Sequence, residues 1–218
     1  MPIKLLMFDL DGTLVDTCVD ITNALNHALN SHGFKSLAVE DTKKLVGEGL
    51  TKLVEKVLGY EKDRLRDDVM RKFLDYYSEH LADHSREYPH VRETLEMLTG
   101  YKKAVISNKR ESLSTKLLDL TDLLKYFNLV VGSDTTSEKK PSAVPVIYVL
   151  QKFDVSAREA LMIGDSNYDI EAARKAGVRT AAVTYGYRGR RYLADADFII
   201  DSFGNLPSVL DMTSSKLI

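Results

Sequence analysis

Short apolar runs separated by polar punctuation recur along the chain: Ile3 to Phe8, Ala104-Val105-Ile106, Leu129-Val130-Val131, Leu161-Met162-Ile163, Ala181-Ala182-Val183 and Phe198-Ile199-Ile200. Each is too short for a buried helix and lacks polar alternation, which predicts strands buried on both faces, as in a parallel sheet. Several end at small, polar or acidic residues: Ser107-Asn108, Gly132-Ser133-Asp134 and Gly164-Asp165. Between the runs the apolar spacing becomes helical. Leu113, Leu117, Leu118, Leu120 and Leu124 form one predicted stripe, and Val144, Ile147, Tyr148 and Phe153 form another. Ile170, Ala173 and Ala176 form a third, with Gly177 as its stop. Strand–helix alternation predicts right-handed βαβ units, hence an α/β fold with a doubly wound, Rossmann-like parallel sheet.

One stretch breaks the alternation. From about Asp16 to about His84 the pattern is helical throughout: Ile21, Leu25, Ala28 and Leu29, then Leu45, Leu50, Leu53, Val54, Val57 and Leu58 up to Gly59, then Val69, Phe73, Leu74, Tyr77 and Leu81. This predicts an all-helical domain of residues 16–84 inserted into a core of residues 1–15 and 85–218, with joints at Val15–Thr17 and Ser78–Tyr88. An insert at this point overhangs the carboxyl end of the first strand, where doubly wound sheets bind their ligands.

Composition narrows the partners. The 218 residues carry 30 Lys+Arg against 32 Asp+Glu, a net charge of −2, which argues against a strongly basic nucleic-acid binder. Cys18 is the single cysteine, so an internal disulfide and a cysteine-built zinc site are excluded and a reducing compartment is the natural expectation. No run approaches the ~18 apolar residues of a membrane span. The N-terminal run is too short for a signal-peptide core. The expectation is a cytoplasmic enzyme or binding module, monomeric or homodimeric, with no membrane or nucleic-acid partner.

The chemistry concentrates at strand ends. In Asp9-Leu10-Asp11-Gly12-Thr13-Leu14 two carboxylates leave a buried strand at i and i+2, on one side and about 7 Å apart. Charges at the mouth of an apolar strand are costly unless paired, hydrogen-bonded or metal-bound. An ordinary surface turn explains this segment alone equally well. A calcium loop does not, because Gly12 is the fourth position rather than the sixth and no Glu stands at the twelfth. Ile163-Gly164-Asp165-Ser166-Asn167-Tyr168-Asp169 follows another buried run and opens a helix, with Asp165 and Asp169 on one face. The helix dipole alone favours acidic residues there. Two parallel strand ends nevertheless lie on one sheet edge, and carboxylates converging there call for a hard cation such as Mg²⁺. Ser107 and Asn108 could hold phosphoryl oxygens. Lys140, before Pro141 and a helix start, opposes the dipole rule, and either a bound anion or plain solvent exposure accounts for it.

Together, Phe8-Asp9-Leu10-Asp11-Gly12-Thr13-Leu14-Val15-Asp16, Ile106-Ser107-Asn108, Lys140-Pro141 and Ile163-Gly164-Asp165-Ser166 with Asp169 resemble the four ordered motifs of the haloacid dehalogenase-like hydrolase superfamily. Asp16-Thr17-Cys18-Val19-Asp20-Ile21 with Ala24-Leu25-Asn26, Val46-Gly47-Glu48-Gly49 and Thr184-Tyr185-Gly186-Tyr187 resemble segments of its phosphoglycolate phosphatase-like group. Ser107 stands where that group usually has Thr, and the proline often found in the middle of the Lys140–Pro145 segment is absent.

The resemblance implies a Mg²⁺-dependent phosphomonoester hydrolase with a mobile cap, acting on a small phosphorylated metabolite such as 2-phosphoglycolate. It implies Asp9 as nucleophile and Asp11 as general acid/base. The metal ligands would be Asp9, the Asp11 carbonyl and Asp165, with Asp169 as a closer or orienting partner. Ser107, Asn108 and Lys140 would hold the phosphate. Gly47, Glu48 and Gly49 could offer backbone N–H groups to the substrate, and Lys109 and Arg110 could meet a substrate carboxylate. A nucleotide, pyrophosphate or sugar phosphate would fit a small cap equally. A phosphoglucomutase-like phosphotransferase shares the motifs but differs mainly in the cap and after Gly12, where Thr13-Leu14 resembles the hydrolases. A haloacid dehalogenase needs neither Asp11 nor a metal, and a receiver-like phospho-acceptor module leaves Asp11 and the insert unexplained.

Overall fold

The computed structural model describes residues 2–59 and 63–215. Six parallel strands form the central sheet: β1 (Leu5–Phe8), β4 (Lys102–Ile106), β5 (Leu129–Val131), β6 (Ala160–Gly164), β7 (Arg179–Val183) and β8 (Phe198–Ile200), in the order β5-β4-β1-β6-β7-β8. All six predicted runs are therefore strands. The order is that of the Rossmann fold, and its reversal point falls between β1 and β6. Both strands are fully buried, and their alternate side chains enter opposite faces. Leu6 and Phe8 join one apolar layer with Leu161 and Ile163, while Leu5 and Met7 join the other with Ala160 and Met162.

Helices cover both faces. α5 (Val91–Met97), α6 (Glu111–Leu120) and α9 (Leu206–Ser215) pack on the Phe8 side; α7 (Val144–Phe153) and α8 (Asn167–Lys175) pack on the Met7 side. Two predicted faces need correction. In α7 the buried positions are Pro145, Val146, Val149 and Leu150, whereas Ile147 is 40% exposed. That helix is apolar almost all round, so periodicity alone selects no face. Leu120, at the last turn of α6, is 55% exposed.

Between β2 (Val15–Asp16) and β3 (Arg86–Glu87) the chain forms α1 (Cys18–Asn30), α2 (Val39–Leu45), α3 (Leu50–Leu58) and α4 (Asp63–Glu79). This is the predicted helical insert, with α2 as an additional short helix. β2 and β3 pair antiparallel, Val15 with Glu87 and Asp16 with Arg86, so the outgoing and returning chains run side by side. Asp20 ties the same junction. It is buried and accepts hydrogen bonds from the backbone N–H and hydroxyl of Ser85 (2.8 and 2.7 Å), the His84 N–H (3.0 Å) and His84 Nδ1 (2.9 Å). Burial alone would raise the Asp20 pKa, but these bonds outweigh it and hold the carboxyl below its ordinary value. No helix among the described residues is long and apolar enough to cross a membrane.

Candidate active site

The site is set at the sheet's reversal point by two adjacent strand ends. Asp9 follows β1, and its N–H donates to Ile163 O of β6 at 2.8 Å. The next turn is tight: the N–H groups of Thr13, Leu14 and Val15 all donate to Leu10 O. Gly12, at φ +85°, permits it, and a β-carbon there would lie 2.4 Å from Asp165 Oδ2, so only glycine lets the two strand ends close on each other.

Asp9, Asp165 and Asp169 each bring a carboxylate oxygen within 4.8 Å of the others. Lys140, 2% exposed, is the cation among them. Its ammonium donates to Asp9 Oδ1 (2.8 Å), Asp169 Oδ1 (2.6 Å) and Ile106 O (2.6 Å). Burial would lower its pKa, but Asp169 and Asp9 reverse this and keep it charged. Burial, then the Asp169 charge, lifts Asp9 to about 7 against the pull of Lys140. Burial, followed by the charges of Asp9 and Asp169, likewise raises Asp165. One ammonium against three buried carboxylates leaves excess negative charge, and an all-oxygen donor set suits a hard divalent cation.

The free atoms say which residues could hold such an ion. Asp169 spends both oxygens, Oδ1 on Lys140 and Oδ2 on the N–H (3.1 Å) and hydroxyl (2.6 Å) of Ser166 in a capping box. Asp165 Oδ2 accepts from the Tyr187 N–H at 2.6 Å. Asp9 Oδ2, Asp165 Oδ1 and the Asp11 carbonyl accept no hydrogen bond among the described residues.

Asp11 points along the same edge. Its Oδ1 accepts from Thr17 Oγ1 at 2.6 Å and pairs with Lys109, whose ammonium lies 5.2 Å from the centroid of the Tyr77 ring. Lys109 thus already has an anionic partner. Burial would lower its pKa, but Asp11, aided by Tyr77, holds it above its ordinary value. Ser107 is buried beside Asp9; its Oγ accepts the Lys109 N–H at 3.2 Å and its own proton has no acceptor among the described residues.

These groups open into a cavity of about 140 Å³ roofed by the insert. Gly47, Gly49, Lys109 and Arg110 line it, Arg110 from an exposed position; the Glu48 side chain instead pairs with Lys56. The Val46–Gly49 loop meets the core through its carbonyls, and the N–H groups of Gly47, Glu48 and Gly49 donate to nothing among the described residues. Arg188 donates to Lys44 O (2.7 Å) and Val46 O (2.5 Å), Asn108 Nδ2 to Gly47 O (2.8 Å) and Lys139 Nζ to Glu48 O (2.6 Å). Asn108 Nδ2 also donates to Lys140 O at 2.9 Å, so both side-chain amide protons hold loops together, while its backbone N–H donates to nothing among the described residues and stays available to a phosphate. Sequence reasoning passed over Arg188, Lys139 and Thr17. Their partners lie far along the chain or carry no motif, although Thr17 adjoins the first motif.

The haloacid dehalogenase-like hydrolase model matches residues 6–183. The chain belongs to the haloacid dehalogenase-like hydrolases. Within that family it falls in the phosphoglycolate phosphatase-like group. It is 41% identical to the phosphoglycolate phosphatase of Aquifex aeolicus over 84% of this chain and 86% of that one. It is 39% identical to that of Chromobacterium violaceum over 94% and 95%. The crystal structure of a predicted phosphoglycolate phosphatase from Haemophilus somnus superposes with a TM-score of 0.88 at 30% identity, over 95% of this chain and 97% of that one. The family resemblance expected from the four motifs is borne out, and so is the α/β core with its helical cap.

Proposed function

We propose that this haloacid dehalogenase-like phosphatase hydrolyses a small phosphomonoester, 2-phosphoglycolate first among them, through an aspartyl-phosphate on Asp9. The observation that carries the reading is the convergence at one strand-end crevice of two carboxylates, Asp9 and Asp11, with Lys140, Ser107 and Asp165 around them. The names of the relatives support the substrate.

Asp9 attacks phosphorus in line while Asp11, on the same edge, protonates the departing alkoxide; the phosphoryl group passes to Asp9 and the alcohol leaves. Asp11 then takes a proton from the water that cleaves the acyl phosphate, which restores the Asp9 carboxylate and the protonated Asp11. Lys140 orients Asp9 through its Oδ1 and leaves Oδ2 to react or to bind metal. Ser107 donates its free hydroxyl proton to a phosphoryl oxygen. Asp9, Asp165 and the Asp11 carbonyl would hold Mg²⁺, with Asp169 locking Lys140 and Ser166 rather than binding the ion. The ion supplies charge neutralisation between an anionic nucleophile and an anionic phosphate. Residues 16–84 act as the cap, and the Arg188, Asn108 and Lys139 contacts hold it over the crevice.

The test is phosphate release from a panel of phosphomonoesters with and without Mg²⁺. Metal-dependent release, highest for 2-phosphoglycolate, is expected; no metal-dependent release from any ester overturns the reading.

A further inference from the structure

Tyr77 lies in α4 and reads in the sequence as one more core position. It is 1% exposed and lines the cavity, yet its hydroxyl has no hydrogen-bond partner among the described residues. Buried hydroxyls are normally paired, because leaving one unpaired forfeits the hydrogen bonds that water would give it. Burial lifts this phenol to about 12, so it remains a proton donor at neutral pH. The nearest charged neighbours are Lys109, seated over its ring, and Asp11, which Lys109 pairs with. The acid Asp11, the ammonium of Lys109 and the phenol of Tyr77 therefore follow one another from the core to the insert.

We infer that Tyr77 is a specificity-determining residue whose hydroxyl, with the Lys109 ammonium, receives the carboxylate on the leaving group of 2-phosphoglycolate. The inference rests on the roles given above to Asp9 and Asp11. Asp11 must reach the bridging oxygen to protonate it. Lys109 pairs with Asp11 and lies over the Tyr77 ring, so a group that meets both donors sits close to the bridging oxygen. A carboxylate on the adjacent carbon accepts from both donors. A plain alkyl group leaves the phenol unpaired. A polyol would extend its hydroxyls against Leu50, Leu53, Met70, Phe73 and Leu74, whose side chains offer no partner.

The experiment compares kcat/KM for 2-phosphoglycolate and ethyl phosphate, which share a two-carbon leaving group, in the wild-type chain and in Tyr77→Phe with Mg²⁺ present. The expected result is a fall of about tenfold in the phosphoglycolate-to-ethyl phosphate ratio, carried by KM for phosphoglycolate. The substrate-free Tm of the variant should change little, since the hydroxyl makes no hydrogen bond of ordinary length among the described residues and the Lys109 ammonium attracts it only from farther off. A ratio unchanged within about twofold, or a Tm lowered as by a lost hydrogen bond, overturns the inference. Wild-type chain that hydrolyses neither ester nor any other phosphomonoester sinks the reading of Asp9 and Asp11. Wild-type chain that hydrolyses both esters equally well sinks the role of Tyr77 alone.

Discussion

On its core side the cleft is lined by Asp9, Asp11, Lys109, Lys139, Asp165 and Arg188; on its insert side it is lined by Ile21, Leu53, Phe73 and Tyr77 and, among the described residues, by no charged side chain. The core side is over-determined. Lys140 uses all three of its N–H bonds on protein atoms, and Asp169 uses both oxygens. The insert side is mostly apolar; among the described residues its side-chain donors at the cavity are the hydroxyls of Thr51 and Tyr77, of which only that of Tyr77 is buried. A preorganised charged surface suits a reaction in which charge moves over short distances, because fixed dipoles need not reorganise. A mostly apolar surface with few polar groups suits selection, because it rejects substrates by leaving their polar atoms unpaired. On the function proposed above, chemistry and choice of substrate are divided between segments that come from different parts of the chain.

Substitutions on the two sides should separate these roles. The largest effect belongs to Asp9→Asn, expected to lower turnover by at least about 10⁴-fold while the protein stays folded, as phosphate release and the Tm together will show. Full activity in that variant would refute the nucleophile. Asp11→Ala should cost about 10²–10³-fold on an alkyl phosphate and much less on an activated aryl phosphate, whose leaving group needs no proton. An equal loss on both would count against the acid role.

At the seam between the two sides, Arg188→Ala removes two donors from the carbonyls of Lys44 and Val46. KM should rise by about tenfold with kcat held within about threefold, and the amides of the Val46–Gly49 loop should exchange hydrogen faster. Unchanged exchange would mean that the contact does not hold the loop. The smallest effect on turnover belongs to Asp20, far from the chemistry. Asp20→Asn should lower stability by about 2 kcal/mol at pH 7, read from urea unfolding. The sign of the pH dependence follows from the lowered native pKa. Ionised Asp20 contributes its stability above the carboxyl's ordinary value of 3.8, and loses it as the pH falls through the lower native value. The gap between wild type and variant should therefore shrink only in acid. A gap constant down to pH 2 would contradict the hydrogen-bonded carboxylate.

What could be read from the sequence divides along physical lines. The six strands were legible because burial on both faces writes an unbroken apolar run. The four carboxylates were legible because charge at the end of such a run is expensive and therefore conspicuous. The inner face of α7 was misassigned because Val144 to Phe153 is apolar almost throughout, and only packing against β4 and β5 selects Val146 and Val149 over Ile147. The carbonyl clamp on the Val46–Gly49 loop left no local trace, since Arg188 and Lys44 stand 144 residues apart. Tyr77 shows a finer limit: periodicity identified it as a buried position, but nothing in the spacing reveals that its hydroxyl is unpaired.

The pairing of β2 with β3 has a consequence for how such a chain can change. Because the insert leaves and re-enters the core through neighbouring, hydrogen-bonded residues, its two ends are already closed on each other. Lengthening, shortening or exchanging everything between them costs little loop-closure entropy and displaces no strand of the sheet. The segment is in this sense a cartridge: a new selectivity can be fitted over an unaltered reaction centre by replacing one contiguous stretch of sequence.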